Sequence, residues 1–110
     1  MKTLQDLEAF ASLLGHEQKT AIIQQGMTWE VHKNNYTVTV KMGTKFTKVD
    51  IGTSGRYMVD LETGEIFGVK AYGVVHKGHR FGTLDTIHEW DWTGYRAHRL
   101  SREMASAPIN

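Results

Sequence analysis

The chain has 110 residues, 40% of them hydrophobic and 23% charged, with a formal net charge of +1 and no cysteine. That length fits one domain with a single core, and the composition is globular, not disordered. The absence of cysteine excludes a disulfide framework and any thiolate metal site. The apolar runs fall far short of the roughly 20 residues that span a bilayer, so no transmembrane helix is expected. Met1–Glu8 carries two acids and no apolar block, unlike a secretory leader, and a cytoplasmic protein is the expectation.

Charge is uneven along the chain. Met1–Gly68 has seven Lys/Arg against eight Asp/Glu, whereas Val69–Arg102 has six against three and holds four of the six histidines. The second half is therefore the basic one, and more so as its histidines charge in acid.

In chain order, Thr3–Gly15 reads as a helix. Thr3 can cap it, Asp6 completes a partial capping box, and Leu4, Leu7, Phe10 and Leu14 make an apolar stripe. Gly15 supplies a stop, and Glu17–Gln25 continues as a second short helix ended by Gly26. From Thr28 the period changes to two. Trp29 and Val31 alternate with Glu30 and His32, and Asn34-Asn35 marks a turn. Tyr36, Val38, Val40 and Met42 then face one way while Thr37, Thr39 and Lys41 face the other. Phe46–Ile51 is a third strand, followed by the loop Gly52-Thr53-Ser54-Gly55.

Arg56–Leu61 and Glu65–Tyr72 form the clearest hairpin. Asp60 can hold the turn's backbone and Gly64 is placed for a left-handed residue. Tyr57, Val59 and Leu61 should face the core, opposite Arg56, Met58 and Asp60. After Tyr72 the periodicity dissolves into a loop rich in Gly, His, Lys and Arg. Ile87–Trp92 is a short aromatic edge strand, Arg96–Met104 a helical turn or tail, and Ala105–Asn110 a frayed end. The layout is one α+β domain over 1–110: a helix at 3–15, antiparallel strands over 28–72 (about five strands in all), a basic aromatic loop region at 73–104, and a tail at 105–110.

His76, Lys77, His79 and Arg80 crowd into the loop, and Trp92, Tyr95, Arg96 and Arg99 crowd near the C-terminus. Trp, Tyr and Arg are the residues enriched in interface hot spots, so these eight are the candidate protein-binding residues. Lys70, Tyr72, Lys77, Arg80 and Phe81 interleave cations with rings, the pattern that neutralises phosphates and stacks bases, and define the alternative of a nucleic-acid module. Histidine spacing matches no structural zinc motif, and Lys77 and Arg80 would repel a cation. No metal or cofactor is therefore assigned. A His–carboxylate pair, such as His79 with Asp85, leaves a metal-dependent nuclease as the third alternative. Gly68, Gly73, Gly78 and Gly82 form neither GxGxxG nor a P-loop and mark bends. Phe46–Ile51, read as an exposed edge strand, makes a homodimer a candidate assembly.

From Arg56 onward the chain resembles small accessory proteins of phages and prophages. The matching pattern comprises Tyr57, Val59, Asp60, Thr63, Gly64, Ile66, Lys70, Tyr72, Arg80, Gly82, Leu84 and Asp85. The N-terminal half lies outside it. The resemblance carries no active site with it and implies a non-enzymatic protein that binds a host protein complex or nucleic acid. Inhibitors of bacterial defence, anti-CRISPR proteins among them, belong to that class. Many of those are acidic mimics of DNA; this chain is not acidic, so inhibition would work through another surface.

Overall fold

The computed structural model describes residues 2–94 and 97–100. Its N-terminal helix α1 runs unbroken over Leu4–Gln24. Thr3 caps it: Asp6 donates its backbone N–H to Thr3 Oγ1, and the Asp6 carboxylate accepts the Thr3 N–H at 2.9 Å. The expected stop at Gly15 and separate second helix are corrected to one helix. The buried positions are Leu7, Phe10, Leu14, Gln18 and Ile22, a single stripe that passes Gly15 without a break. Gln18 sits on that stripe, and its polarity hid the periodicity. At Gly15 an added Cβ would already be in van der Waals contact with Val38, 3.9 Å away, so the small residue lets α1 lie close on the sheet.

Trp29–Tyr36, expected as a strand and a turn, is a second helix, α2. None of its residues is buried, and Val31 is 74% exposed, so the apolar alternation had no sheet to serve. Glu30 and Lys33 pair at 2.9 Å within the helix, and the Thr37 hydroxyl donates to the Lys33 carbonyl at its end.

Five strands follow: β1 (Val38–Met42), β2 (Phe46–Ile51), β3 (Ser54–Asp60), β4 (Glu65–Ala71) and β5 (Val74–Thr83). They form one antiparallel meander in the order β1-β2-β3-β4-β5. The α+β reading holds. β2 lies between β1 and β3, so Phe46–Ile51 is not an edge; β1 is. The expected loop before β3 shrinks to Gly52-Thr53, because Ser54 and Gly55 pair with Ile51 and Asp50. The β3–β4 turn is as read: Asp60 Oδ1 accepts from the backbone of Glu62 and Thr63, and Gly64 is left-handed at φ +78°.

After β5 come a 3-10 helix over Leu84–Glu89 and a small ribbon of β6 (Trp90–Asp91) with β7 (His98–Arg99). Of the expected edge strand Ile87–Trp92, only Trp90–Asp91 is extended, paired with β7, while Ile87–Glu89 belongs to the 3-10 helix. His98 and Arg99 are extended and not helical; Tyr95, Arg96 and 101–110 lie outside the described residues.

The core sits between α1 and one sheet face. Leu7, Phe10 and Leu14 meet Val49, Tyr57, Val59, Ile66 and Phe81. Trp92 stands at its centre with no exposed surface, edge-on to Phe10 (4.8 Å) and Tyr57 (5.3 Å). No helix of the described residues is long and apolar enough to cross a membrane.

Candidate binding face

The segment after Tyr72 is not a loop. β5 is ten residues long and pairs with β4, but its register jumps: Gly68 opposes His76, while Phe67 opposes Arg80. Lys77, Gly78 and His79 therefore have no opposite residue and bulge from the ladder. Such an insertion erases a period of two from the sequence, which is why a strand looked irregular.

Two glycines make room for the bulge. A Cβ on Gly68 would lie 3.0 Å from the His79 Cβ, and one on Gly78 would lie 3.1 Å from His76 Cε1. In that space the His76 and His79 rings stack in parallel, 3.9 Å apart and 6° from coplanar. Both are partly buried, and His76 Nδ1 has no hydrogen-bond partner among the described residues. Lys77 is exposed. Arg80 closes the bulge by donating from Nε to the Lys77 carbonyl at 3.3 Å; it also pairs with Glu65 at 3.7 Å and lies over the Phe67 ring.

Arg80 and Phe67, being opposite partners, both belong to the sheet face away from α1. Lys41 and Lys48 face each other across β1 and β2 on the same side, as do Lys48 and Met58 across β2 and β3. Tyr72, at the end of β4, reaches over Gly55 to this side, where a Cβ on Gly55 would lie 3.0 Å from its ring. Its hydroxyl accepts from Lys41 Nζ at 3.0 Å and donates to Asp50 Oδ2 at 3.2 Å. Lys41 also pairs with Asp50 at 3.5 Å, and Lys48 stands 5.1 Å from the centre of the Tyr72 ring. The Tyr72 hydrogen bond, followed by the Asp50 charge, holds the Lys41 proton more tightly than usual. Lys45 lies over Phe46 in the same manner, and Phe46 is edge-on to Phe67. The result is a strip of cations held over aromatic rings, with the Asp50 carboxylate buried beneath.

The sequence-derived candidates divide. Lys77, Arg80, His76 and His79 are gathered by the bulge, and Tyr72, 54% exposed, joins the strip. Lys70 is exposed near the end of β4. Trp92 and Phe81 are corrected to core residues, 0% and 5% exposed, because both rings complete the layer under α1. Arg99 is exposed but sits on the β6–β7 ribbon, where Glu89 holds it at 2.8 Å. Tyr95 and Arg96 fall outside the described residues. Asp85, offered as a partner for His79, lies instead 3.6 Å from Lys2. No group of three or more His, Asp or Glu among the described residues is arranged to hold a metal. Lys41, Lys45, Lys48 and Asp50 were missed. Their signal was present in the polar alternation of β1 and β2, but the link to Tyr72 depends on the strand order.

The chain matches no protein-family model, no curated protein and no solved structure.

Proposed function

We propose that this chain is a non-enzymatic accessory protein of the phage type that modulates a bacterial host complex, in the cytoplasm, by docking its cationic sheet face on an acidic protein surface. The observation that carries this reading is the setting of Lys41 and Lys48 over one Tyr72 ring, with Asp50 buried below. Cations restrained in this way lose less side-chain freedom on docking than free lysines do, and like-signed groups on one face steer an anionic partner. Arg80, over the Phe67 ring, extends the same basic surface toward β5, and Lys77 is exposed on the neighbouring bulge.

A nucleic-acid partner is the second reading, favoured by the exposure of Tyr72 between two lysines. Capture from bacterial lysate, run with and without nuclease, separates the two. The protein reading predicts a nuclease-resistant partner that is lost with the double variant Lys48→Glu, Lys77→Glu. Retention by that variant, with its fold intact, would show that another surface binds. A phosphate contact set instead predicts nuclease-sensitive capture and oligonucleotide affinity that falls by orders of magnitude between about 50 and 200 mM salt.

A further inference from the structure

We infer that β1 is a self-pairing edge through which two copies of this chain join their sheets. The two edges of the sheet differ. β5 carries a three-residue bulge with an exposed lysine at its tip, the devices that normally prevent edge-to-edge association. β1 has no bulge. Its register with β2 is regular from Val38 to Met42, it contains no proline or glycine, and its sequence is rich in β-branched residues. Its one charged residue, Lys41, is drawn back over the sheet by Asp50 and Tyr72. Among the described residues, no strand pairs with its outer side.

The phase of the ladder shows which backbone groups are free. Gly43 donates to the Phe46 carbonyl, and Gly52 donates to the Thr37 carbonyl. Antiparallel hydrogen-bonded pairs alternate, so Thr39 and Lys41 spend their backbone groups on β2. Val38, Val40 and Met42 turn theirs outward.

A second copy fits this pattern without conflict. An antiparallel pairing centred on Val40 sets Val40 against its own counterpart and Val38 against Met42, all of them with outward backbone groups. The same register sets Lys41 against Thr39, never against another lysine. Val38, Val40 and Met42, the last 45% exposed, then meet their counterparts on the α1 side of the joined sheet. Polar Thr39 and Lys41 meet on the cationic side. A two-fold axis through Val40 satisfies the self-complementarity that a closed dimer requires. An exchange along one short strand buries less than the roughly 1,200–2,000 Å² of a stable complex, so the dimer is weak and concentration-dependent.

Sedimentation equilibrium of the full chain, from micromolar to millimolar concentration, tests this. The expected result is a reversible monomer–dimer equilibrium. Thr39→Lys sets like charges directly opposite each other twice per dimer, while Asp50 across β2 accommodates the new lysine within each chain. It should raise the dimer Kd about tenfold or more. Val40→Pro removes an outward N–H that has no partner within the chain and should abolish the dimer; if that variant does not fold, Thr39→Lys decides. A monomer at every concentration overturns the inference, and so does a dimer indifferent to Thr39→Lys. No host partner enters the measurement, so its outcome is separate from that of the proposed function.

Discussion

Gln18 donates a 2.7 Å hydrogen bond from its buried side-chain amide to the carbonyl oxygen of Trp92, joining the middle of α1 to a point 74 residues later. Next to it, Glu17 accepts the Trp92 backbone N–H at 3.2 Å, so one turn of helix holds both sides of the same residue. The Trp92 indole N–H is satisfied separately by the Ile87 carbonyl at 2.8 Å. Replacing Gln18 with Leu makes the stripe wholly apolar but orphans a buried carbonyl. The expected loss is about 1–3 kcal/mol in urea unfolding, with a changed near-ultraviolet signal from Trp92.

Glu17 gives this contact a pH dependence. Partial burial pushes its carboxyl pKa above the usual value of 4.5, against the opposing pull of the Trp92 N–H. The folded state therefore binds this proton more tightly than the unfolded state. Its contribution is fully present below the ordinary glutamate pKa and is lost as pH rises through the raised one. Asp6 and Asp91 slope the other way: hydrogen bonds from Thr3 and Thr93 lower their pKa values, so their contribution is lost only as pH falls through the acidic range. Glu17→Gln keeps an acceptor for Trp92 and removes the first slope. The variant should gain stability relative to the parent as pH is raised from about 4 to about 7, read as diverging urea midpoints.

Where the sequence could be read, local chemistry and tertiary packing agreed. The capping box at Thr3, the Asp60–Gly64 turn, and the alternation of Tyr57, Val59 and Leu61 needed only near neighbours to be recognised. The failures share a cause in distant contacts. Gln18 belongs to the buried stripe only because Trp92 offers it a carbonyl, so α1 seemed to end too soon. Trp29 and Val31 alternate like a strand, yet the chain spends them on a helix beside α1, with Lys19 over the Trp29 ring. β5 was hidden by the bulge, since its outward cations and inward Phe81 are out of phase across Lys77–His79. Trp92 stands among the binding candidates in the sequence because an aromatic in a polar, acidic stretch gives no hint that a helix far upstream covers it.

The bulge depends on the missing side chain at Gly68. This glycine is buried beneath His79 and beside Phe81, where an added Cβ would meet ring carbon at 3.5 Å and the His79 Cβ at 3.0 Å. Gly68→Ala should cost about 1–3 kcal/mol, the usual penalty for overpacking. It should also separate the stacked imidazoles. The mutual ring-current shifts of the His76 and His79 protons would then collapse in the NMR spectrum. A variant of normal stability and unchanged histidine shifts would show that the glycine does not set the stack.

Tyr72 has two separable roles. Its hydroxyl bridges Lys41 to Asp50, and its ring lies under the two lysine ammonium groups. Tyr72→Phe leaves Asp50, buried and with Oδ1 already lacking a hydrogen-bond partner among the described residues, to the 3.5 Å Lys41 contact alone. The expected cost is about 1 kcal/mol, at the low end for a bond to a charged group because the hydroxyl is on an exposed residue. The raised Lys41 pKa means that the Lys41 contact contributes at neutral pH and fades as pH climbs through the lysine range. The gap between parent and variant should therefore narrow in alkali, while the Tyr72–Asp50 bond is unaffected by that proton. Binding divides the roles further. A partner that stacks on the ring is indifferent to Tyr72→Phe and lost with Tyr72→Ala. A partner that reads the placement of Lys41 weakens with Tyr72→Phe already, because the hydroxyl is what fixes that ammonium above the sheet.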